Sequence, residues 1–251
     1  MLKSSLKNLL ATAIIVASGS VFSAEVTVSA AASLTNAFKD IAENFEKAHP
    51  EHKVLLNFAG SGELLQQIAK GAPVDVFASA DQITMDKAQE QNLLVQGSRK
   101  DFVQNTVVVI TPTDSALQLT QLTDLQQDAL QRLAVSNPDS VPVGRYSKQA
   151  LVTHKLWDAL ADKIINTQNV RQSLDYVARD EVDAGFVYAT DAAIMADKVK
   201  VQFTVPLDTV VSYPVAVTEE GSAKELSQQF VDYLFSEDSQ AVLSQYGFSK
   251  P

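Results

Sequence analysis

The sequence predicts an α/β fold with two lobes, in which each lobe holds a mainly parallel sheet flanked by helices. First, strand-like and helix-like segments alternate along most of the 251-residue chain. Second, the strand-like segments 74–78 and 106–110 are almost wholly apolar, which is typical of strands buried on both faces of a sheet. Third, the stretches 25–105 and 107–205 each carry their own strand–helix units, which favours two lobes over one.

In the first half of the chain, the spacing of apolar residues predicts strands and helices in alternation. Leu34, Phe38, Ile41 and Phe45 recur at helical spacing, and Pro50 ends that helix. The predicted strands comprise residues 25–30, 53–58, 74–78 and 106–110. The predicted helices run over residues 34–45, 61 to about 70, and 81 to about 91.

The second half repeats the alternation. Its predicted strands comprise residues 133–135, 185–188, 199–205 and 212–217. One predicted helix begins at residue 144, and the others cover residues 157–163, 170–179, 191–195 and 225–235. Because the runs 106–110 and 212–217 are the natural crossings between the lobes, we expect residues 25–105 with 213–251 to form lobe I and residues 106–212 to form lobe II.

The first 24 residues have the pattern of a secretory signal peptide. Lys3 and Lys7 precede a short apolar run, and small residues near Ala24 suit a cleavage site after Ser23 or Ala24. An N-terminal membrane anchor is the alternative, but residues 9–17 are too few to span the ~30 Å hydrocarbon core of a bilayer. With no cysteine to carry a lipid, the pattern predicts a protein exported to a bacterial periplasm.

Charge and cysteine content exclude several classes of function. Removing residues 1–24 leaves 18 basic and 30 acidic residues, a net charge of −12, so a broad nucleic-acid-binding surface is not expected. The chain has no cysteine, which excludes disulfides, thiolate metal sites and cysteine nucleophiles.

Four turns open predicted helices at the ends of strand–helix units. They carry Ser33, Ser61, Val143 and Val170. A helix N-terminus presents free N–H groups and the positive end of the helix dipole, which together favour an anion. Each turn by itself is ordinary, because serine and glycine are common where helices begin.

Other motifs are absent or weak. Ala59 stands where a Gly-x-Ser-x-Gly nucleophile motif centred on Ser61 would need glycine. His49 and His52 flank a Pro-Glu turn, where a solvated loop is more usual than a metal site. A secreted hydrolase with Ser33 or Ser61 as nucleophile stays open, since a histidine could approach either serine in the fold.

Eight stretches of the mature chain, in order and with similar spacing, resemble the periplasmic molybdate-binding proteins of ABC transporters. These stretches are residues 28–38, 58–61, 71–81, 141–144, 169–171, 185–188, 213–217 and 246–248. The sequence departs from the family in two places. Relatives often carry alanine at the position of Val143, and a serine-rich turn in place of Gly60-Ser61-Gly62.

The resemblance implies a periplasmic binding protein fold whose two lobes close on a tetrahedral oxyanion. Ser33 and Ser61 would offer hydroxyl and backbone donors, Val143 and Val170 backbone N–H groups, and Tyr188 its phenol. The implied function is a monomeric periplasmic receptor that binds molybdate and tungstate and delivers them to an inner-membrane ABC permease. It implies no catalysis, no cofactor, and no metal other than the molybdenum of the ligand. A receptor for sulfate or another tetrahedral oxyanion is the nearest alternative.

Overall fold

The computed structural model describes residues 24–251. Ala24 begins the first strand, and the rest of the predicted signal peptide lies outside the described residues. Within the described part, no helix combines the length and the apolar character needed to cross a membrane.

The first sheet has the strand order β2-β1-β3-β10-β4. Its strands are β1 (Ala24–Ala31), β2 (His52–Ala59), β3 (Val76–Ala78), β4 (Lys100–Asn105) and β10 (Val211–Val217). The helices that chain order associates with it are α1 (Thr35–Ala48), α2 (Ser61–Ala69), α3 (Gln82–Glu90), α7 (Glu225–Tyr233) and α8 (Glu237–Gln245). A turn of 3-10 helix, Ala32–Leu34, joins β1 to α1.

The second sheet has the strand order β7-β6-β8-β5-β9. Its strands are β5 (Val107–Pro112), β6 (Leu133–Ser136), β7 (Ile164–Thr167), β8 (Ala184–Tyr188) and β9 (Val199–Thr204). The helices between these strands are α4 (Pro142–Thr153), α5 (Val170–Ala178) and α6 (Ala189–Ile194). Two sheets flanked by helices give the predicted two-lobe α/β architecture, and we call the two halves the first and the second lobe.

Both sheets are mixed, whereas the sequence predicts mainly parallel sheets. In the first sheet β1 runs parallel to β2 and β3, but β10 runs antiparallel to β3 and β4. In the second sheet β6 runs parallel to β7 and β8, but β5 runs antiparallel to β8 and β9. The antiparallel strands are the ones that cross between lobes and their edge neighbours, since a crossing strand enters the new sheet without a helical connection.

Some elements depart from the sequence predictions for local reasons. Strand β4 went unpredicted because its sequence is Lys-Asp-Phe-Val-Gln-Asn, in which only two residues are apolar. Strand β7 has four residues and α8 has few apolar positions, so neither has a strong period. The segment predicted as a short helix over 157–163 is 3-10 helix from Asp158 to Lys163.

The core positions the site by fixing the parallel strands under their helices. Phe45 on α1 meets Phe230 on α7 at an interplanar angle of 76° with ring centroids 5.5 Å apart, and burial of each ring contributes about 1.5–3 kcal/mol. Strands β1, β2, β6, β7 and β8 all end at the edge where the two lobes face each other. Ligands of open α/β sheets bind outside the carboxyl ends of such strands.

The chain passes directly between the lobes at Thr106, the single residue between β4 and β5, and returns between β9 and β10. The exact lobe boundaries proposed from sequence, 25–105 with 213–251 and 106–212, stay a prediction.

Candidate functional site

A small cavity lies between the lobes, where strands of both sheets end and helices begin. Its volume is about 10 Å³, far below the ~300–1,000 Å³ of pockets for drug-sized ligands, so it suits a much smaller molecule. All five predicted site residues line it: Ser33, Ser61, Val143, Val170 and Tyr188. No charged side chain is among the described residues that line the cavity.

The first lobe contributes two buried serines. Ser33 is 4% exposed in the 3-10 turn after β1, and Ser61 is fully buried as the first residue of α2. Each hydroxyl has a partner in its own lobe. Ser33 Oγ lies 3.0 Å from Tyr213 Oη, and Ser61 Oγ accepts a hydrogen bond from Ala80 N–H at 3.1 Å.

The second lobe contributes the N-termini of two helices. Val143 is the second residue of α4, and Val170 is the first residue of α5. The first N–H groups of a helix have no carbonyl partner within it, so these residues present backbone donors at the cavity wall. Pro142 begins α4 and is suited to that place because it has no N–H to leave unpaired.

Tyr188 ends β8 and supplies a polar atom without a partner. It is 1% exposed, and its Oη makes no hydrogen bond to any described residue. Burial raises the pKa of this phenol well above its ordinary value, and the neighbouring Tyr213 adds to the effect, so the hydroxyl keeps its proton. A buried donor without a partner is costly, and a ligand acceptor in the cavity would satisfy it.

Two of the helices that begin at the cavity, α2 and α4, have no side-chain cap. The residues before α2 and α4 are Gly60 and Val141, and neither provides a side-chain cap. By contrast, Asp81 accepts from Thr84 N–H at 3.1 Å at the start of α3, away from the cavity lining. The first turns of α2 and α4 therefore have no side-chain cap competing for their N–H groups, although Gly62 N–H of α2 is bonded to the Ser140 carbonyl, and α5 is partly capped by Asn169.

Two arginines near the cavity each form an ion pair and also donate to a residue of the first lobe. Arg145 on α4 donates to Asp81 Oδ2 at 2.7 Å and to Thr84 Oγ1 at 2.6 Å in the first lobe. Arg145 is bound to the buried carboxylate of Asp81 and is not in the cavity wall. Its charge is therefore largely offset and adds little attraction for an anion in the cavity.

The second pair is formed by Arg171, next to Val170. Its Nε donates to Asp191 Oδ1 at 2.6 Å, and its Nη1 donates to Asn36 Oδ1 of the first lobe at 2.7 Å. Burial raises the pKa of Asp191 to about 6, although the Arg171 charge acts in the opposite direction.

A backbone contact brings α2 against the second lobe. Gly62 N–H donates to the carbonyl of Ser140 at 2.8 Å. A Cβ at position 62 would lie 2.5 Å from that same oxygen, so only glycine allows this approach.

Sequence reasoning missed the polar residues behind the wall. Tyr213 Oη lies 3.0 Å from Ser33 Oγ, and Asn105 Nδ2 donates to Tyr213 Oη at 3.2 Å. Tyr213 lay within a motif of the family resemblance, but no local pattern assigned it a role. A single Asn at a strand end gives no signal in a sequence.

The histidines do not assemble a metal site or a catalytic pair. No cluster of three potential metal ligands occurs within residues 24–251. His49 and His52 stack with ring centroids 5.9 Å apart beside Phe45, and His154 follows the last residue of α4. None of the three is a hydrogen-bond partner of Ser33 or Ser61.

Comparison with known proteins places the chain among transport proteins. Residues 26–249 match the model of a family described as bacterial extracellular solute-binding protein. The chain is 39% identical to the molybdate-binding protein ModA of Escherichia coli K12, over 90% of this chain and 89% of that protein. It is 37% identical to ModA of Haemophilus influenzae, over 90% and 91%.

A solved structure gives the same answer for the fold. The periplasmic molybdate-binding protein of Azotobacter vinelandii superposes with a TM-score of 0.80, covering 90% of this chain and 99% of that one. Its sequence identity is 24%, so it speaks for the two-lobe architecture alone.

Proposed function

The chain belongs to the bacterial extracellular solute-binding protein family, and from that premise we propose that it is a receptor that binds molybdate between its lobes. It acts in the periplasm as a monomer and hands its ligand to an ABC permease. Tungstate, a tetrahedral dianion of nearly the same shape and charge, is a second ligand.

The observation that carries this proposal is a cavity lined by no charged side chain among the described residues, with all five predicted site residues in its wall. We propose as donors the hydroxyls of Ser33, Ser61 and Tyr188 and the backbone N–H groups of Val143 and Val170. A hydrogen bond to a charged group contributes about 1.5–3 kcal/mol, so five contribute on the order of 8–15 kcal/mol. Micromolar to nanomolar binding needs ~8–12 kcal/mol.

Neutral donors suit a dianion in a protein of net charge −12. A lysine or arginine in the wall would lose its own hydration whenever the site closed, whereas helix N-termini and hydroxyls carry fixed dipoles. The carboxylates nearest the wall, Asp81 and Asp191, are each bound to an arginine, which reduces their repulsion of an anion.

Catalysis is not part of this function. Ser33 is bonded to Tyr213 and Ser61 to Ala80, so neither hydroxyl has a general base among its described hydrogen-bond partners. A hydrolase would need such a base within reach of its nucleophile.

The test is calorimetric titration of ligand-free protein with molybdate, tungstate, sulfate and phosphate in parallel. We expect molybdate and tungstate to bind at micromolar affinity or better, with sulfate and phosphate much weaker. Tighter binding of sulfate than of molybdate would identify the protein as a receptor for a different oxyanion. Absence of binding to all four would refute an oxyanion receptor.

A further inference from the structure

Behind the cavity wall a chain of hydrogen bonds leads from the crossing between the lobes to Ser33. Its first member is the backbone N–H of Thr106, which donates to Asn105 Oδ1 at 2.8 Å. This bond fixes the orientation of the Asn105 amide, because the oxygen must face the N–H group. The Nδ2 group therefore points the other way as a donor.

The next two bonds set the direction of the chain. Asn105 Nδ2 donates to Tyr213 Oη at 3.2 Å and to Thr190 Oγ1 of the second lobe at 2.9 Å. Tyr213 Oη thus accepts one bond and keeps its own proton for another partner, and Ser33 Oγ lies 3.0 Å away. Tyr213 is fully buried, so a phenol proton without an acceptor would cost about 1–3 kcal/mol.

We infer that Tyr213 is a positioning residue of the oxyanion site: it donates its phenol proton to Ser33 Oγ and so directs the Ser33 hydroxyl proton into the cavity. This inference rests on the proposed function, since the cavity proton then meets the ligand. A Ser33 hydroxyl that accepts from Tyr213 keeps its own proton for the ligand, whereas one that donated to Tyr213 would not.

The other serine of the site is oriented in the same way by a different donor. Ser61 Oγ accepts from the backbone N–H of Ala80 at 3.1 Å, which leaves its proton for the cavity. Both hydroxyls of the first lobe are therefore set as donors before a ligand arrives. Burial raises the pKa of the Tyr213 phenol well above its ordinary value, which is consistent with a proton held in place.

The binding test uses Tyr213→Phe, which removes the phenol oxygen and keeps the ring, in three backgrounds: wild type, Ser33→Ala and Ser61→Ala. In wild type, a Ser33 hydroxyl released among three staggered orientations should weaken molybdate binding about threefold or more. In the Ser33→Ala background, Tyr213→Phe should change molybdate affinity by less than about twofold, the usual limit for uncoupled sites. In Ser61→Ala, the matched control, the full loss should remain.

A second measurement tests the hydrogen bond between Tyr213 and Ser33 in ligand-free protein. The Tyr213 hydroxyl proton, assigned in the proton NMR spectrum by its loss in Tyr213→Phe, should shift in Ser33→Ala and stay in place in Ser61→Ala. A purely structural role for Tyr213 would not produce this selective response.

The outcomes separate the two proposals. A loss of affinity in Tyr213→Phe that persists in Ser33→Ala, or a hydroxyl resonance that ignores Ser33→Ala, would overturn the role of Tyr213 while molybdate binding stands. Wild-type protein that binds no oxyanion, but whose Tyr213 resonance responds to Ser33→Ala, would refute the receptor and support the orientation of Ser33.

Discussion

Removal of the Tyr188 hydroxyl is expected to weaken ligand binding while leaving the free protein at least as stable as before. The Tyr188 Oη is buried in the cavity wall and has no hydrogen-bond partner among the described residues. In the free protein this oxygen contributes no bond to the fold, whereas in the complex it would donate to a charged oxygen. Tyr188→Phe should therefore weaken binding without lowering the stability of the free protein.

Both magnitudes follow from the same atom. Loss of one hydrogen bond to a charged ligand costs about 1.5–3 kcal/mol, which is about 10- to 150-fold in affinity. An unpaired buried polar group costs about 1–3 kcal/mol, so the free energy of unfolding without ligand should be unchanged or higher by up to that amount in Tyr188→Phe.

The assay combines calorimetric titration with molybdate and urea unfolding of ligand-free protein. Tyr246→Phe is the matched control, because it removes a phenol that donates to Asp40 at 2.7 Å on the surface, away from the cavity. The control should bind molybdate like wild type. Equal affinity in Tyr188→Phe and wild type, or a clear loss of stability in the free variant, would refute the reasoning.

Four further expectations concern the same site. Ser33→Ala or Ser61→Ala should each weaken molybdate binding by about 1.5–3 kcal/mol in calorimetric titration, and unchanged affinity in both variants would show that these hydroxyls are not ligands. Ser61→Ala should also lower the melting temperature of the free protein in thermal unfolding, because Ala80 N–H loses its acceptor. Gly62→Ala should hinder closure, since the new Cβ would meet Ser140 O at 2.5 Å; weaker molybdate binding at unchanged melting temperature is expected, and wild-type affinity would contradict it. The molybdate complex should have a smaller radius of gyration than free protein in small-angle scattering, and ligand at 100 times its Kd should stabilise the fold by about 2.7 kcal/mol; identical scattering curves would count against a closing cleft. The association rate should stay level or rise as sodium chloride goes from about 10 to 150 mM, because the Debye length falls from ~30 to ~8 Å and screens the repulsion between two negative partners; a steep fall in stopped-flow rate would point instead to a positively charged entrance.

The sequence was informative where one residue type has one physical meaning. Apolar runs predicted the buried central strands, and the change of period after Ser33 and Ser61 predicted two helix starts that line the cavity. The resemblance to a family then named five residues that meet around one cavity. Their contacts to a ligand stay a prediction.

The rest depends on distances that no local pattern encodes. Asn105 and Tyr213 are 108 residues apart, and their bond exists only because β4 and β10 are neighbours in the sheet. Arg145 and Arg171 lie close in sequence to Val143 and Val170, and only the fold shows that each is bound to a carboxylate. Antiparallel pairing of the crossing strands was missed for the same reason.

The enclosure of the cavity has a kinetic consequence. Ser33, Ser61 and Tyr188 are at most 4% exposed, so an ion bound to all three would be largely shielded from solvent while the lobes stay together. Its escape rate then has a ceiling, which is the frequency at which Arg145 releases Thr84 and the lobes separate. Residence time would be a property of the protein's own contacts and would not follow the strength of the ligand's bonds alone. A partner protein that separates the lobes would shorten the residence time without contacting the ion.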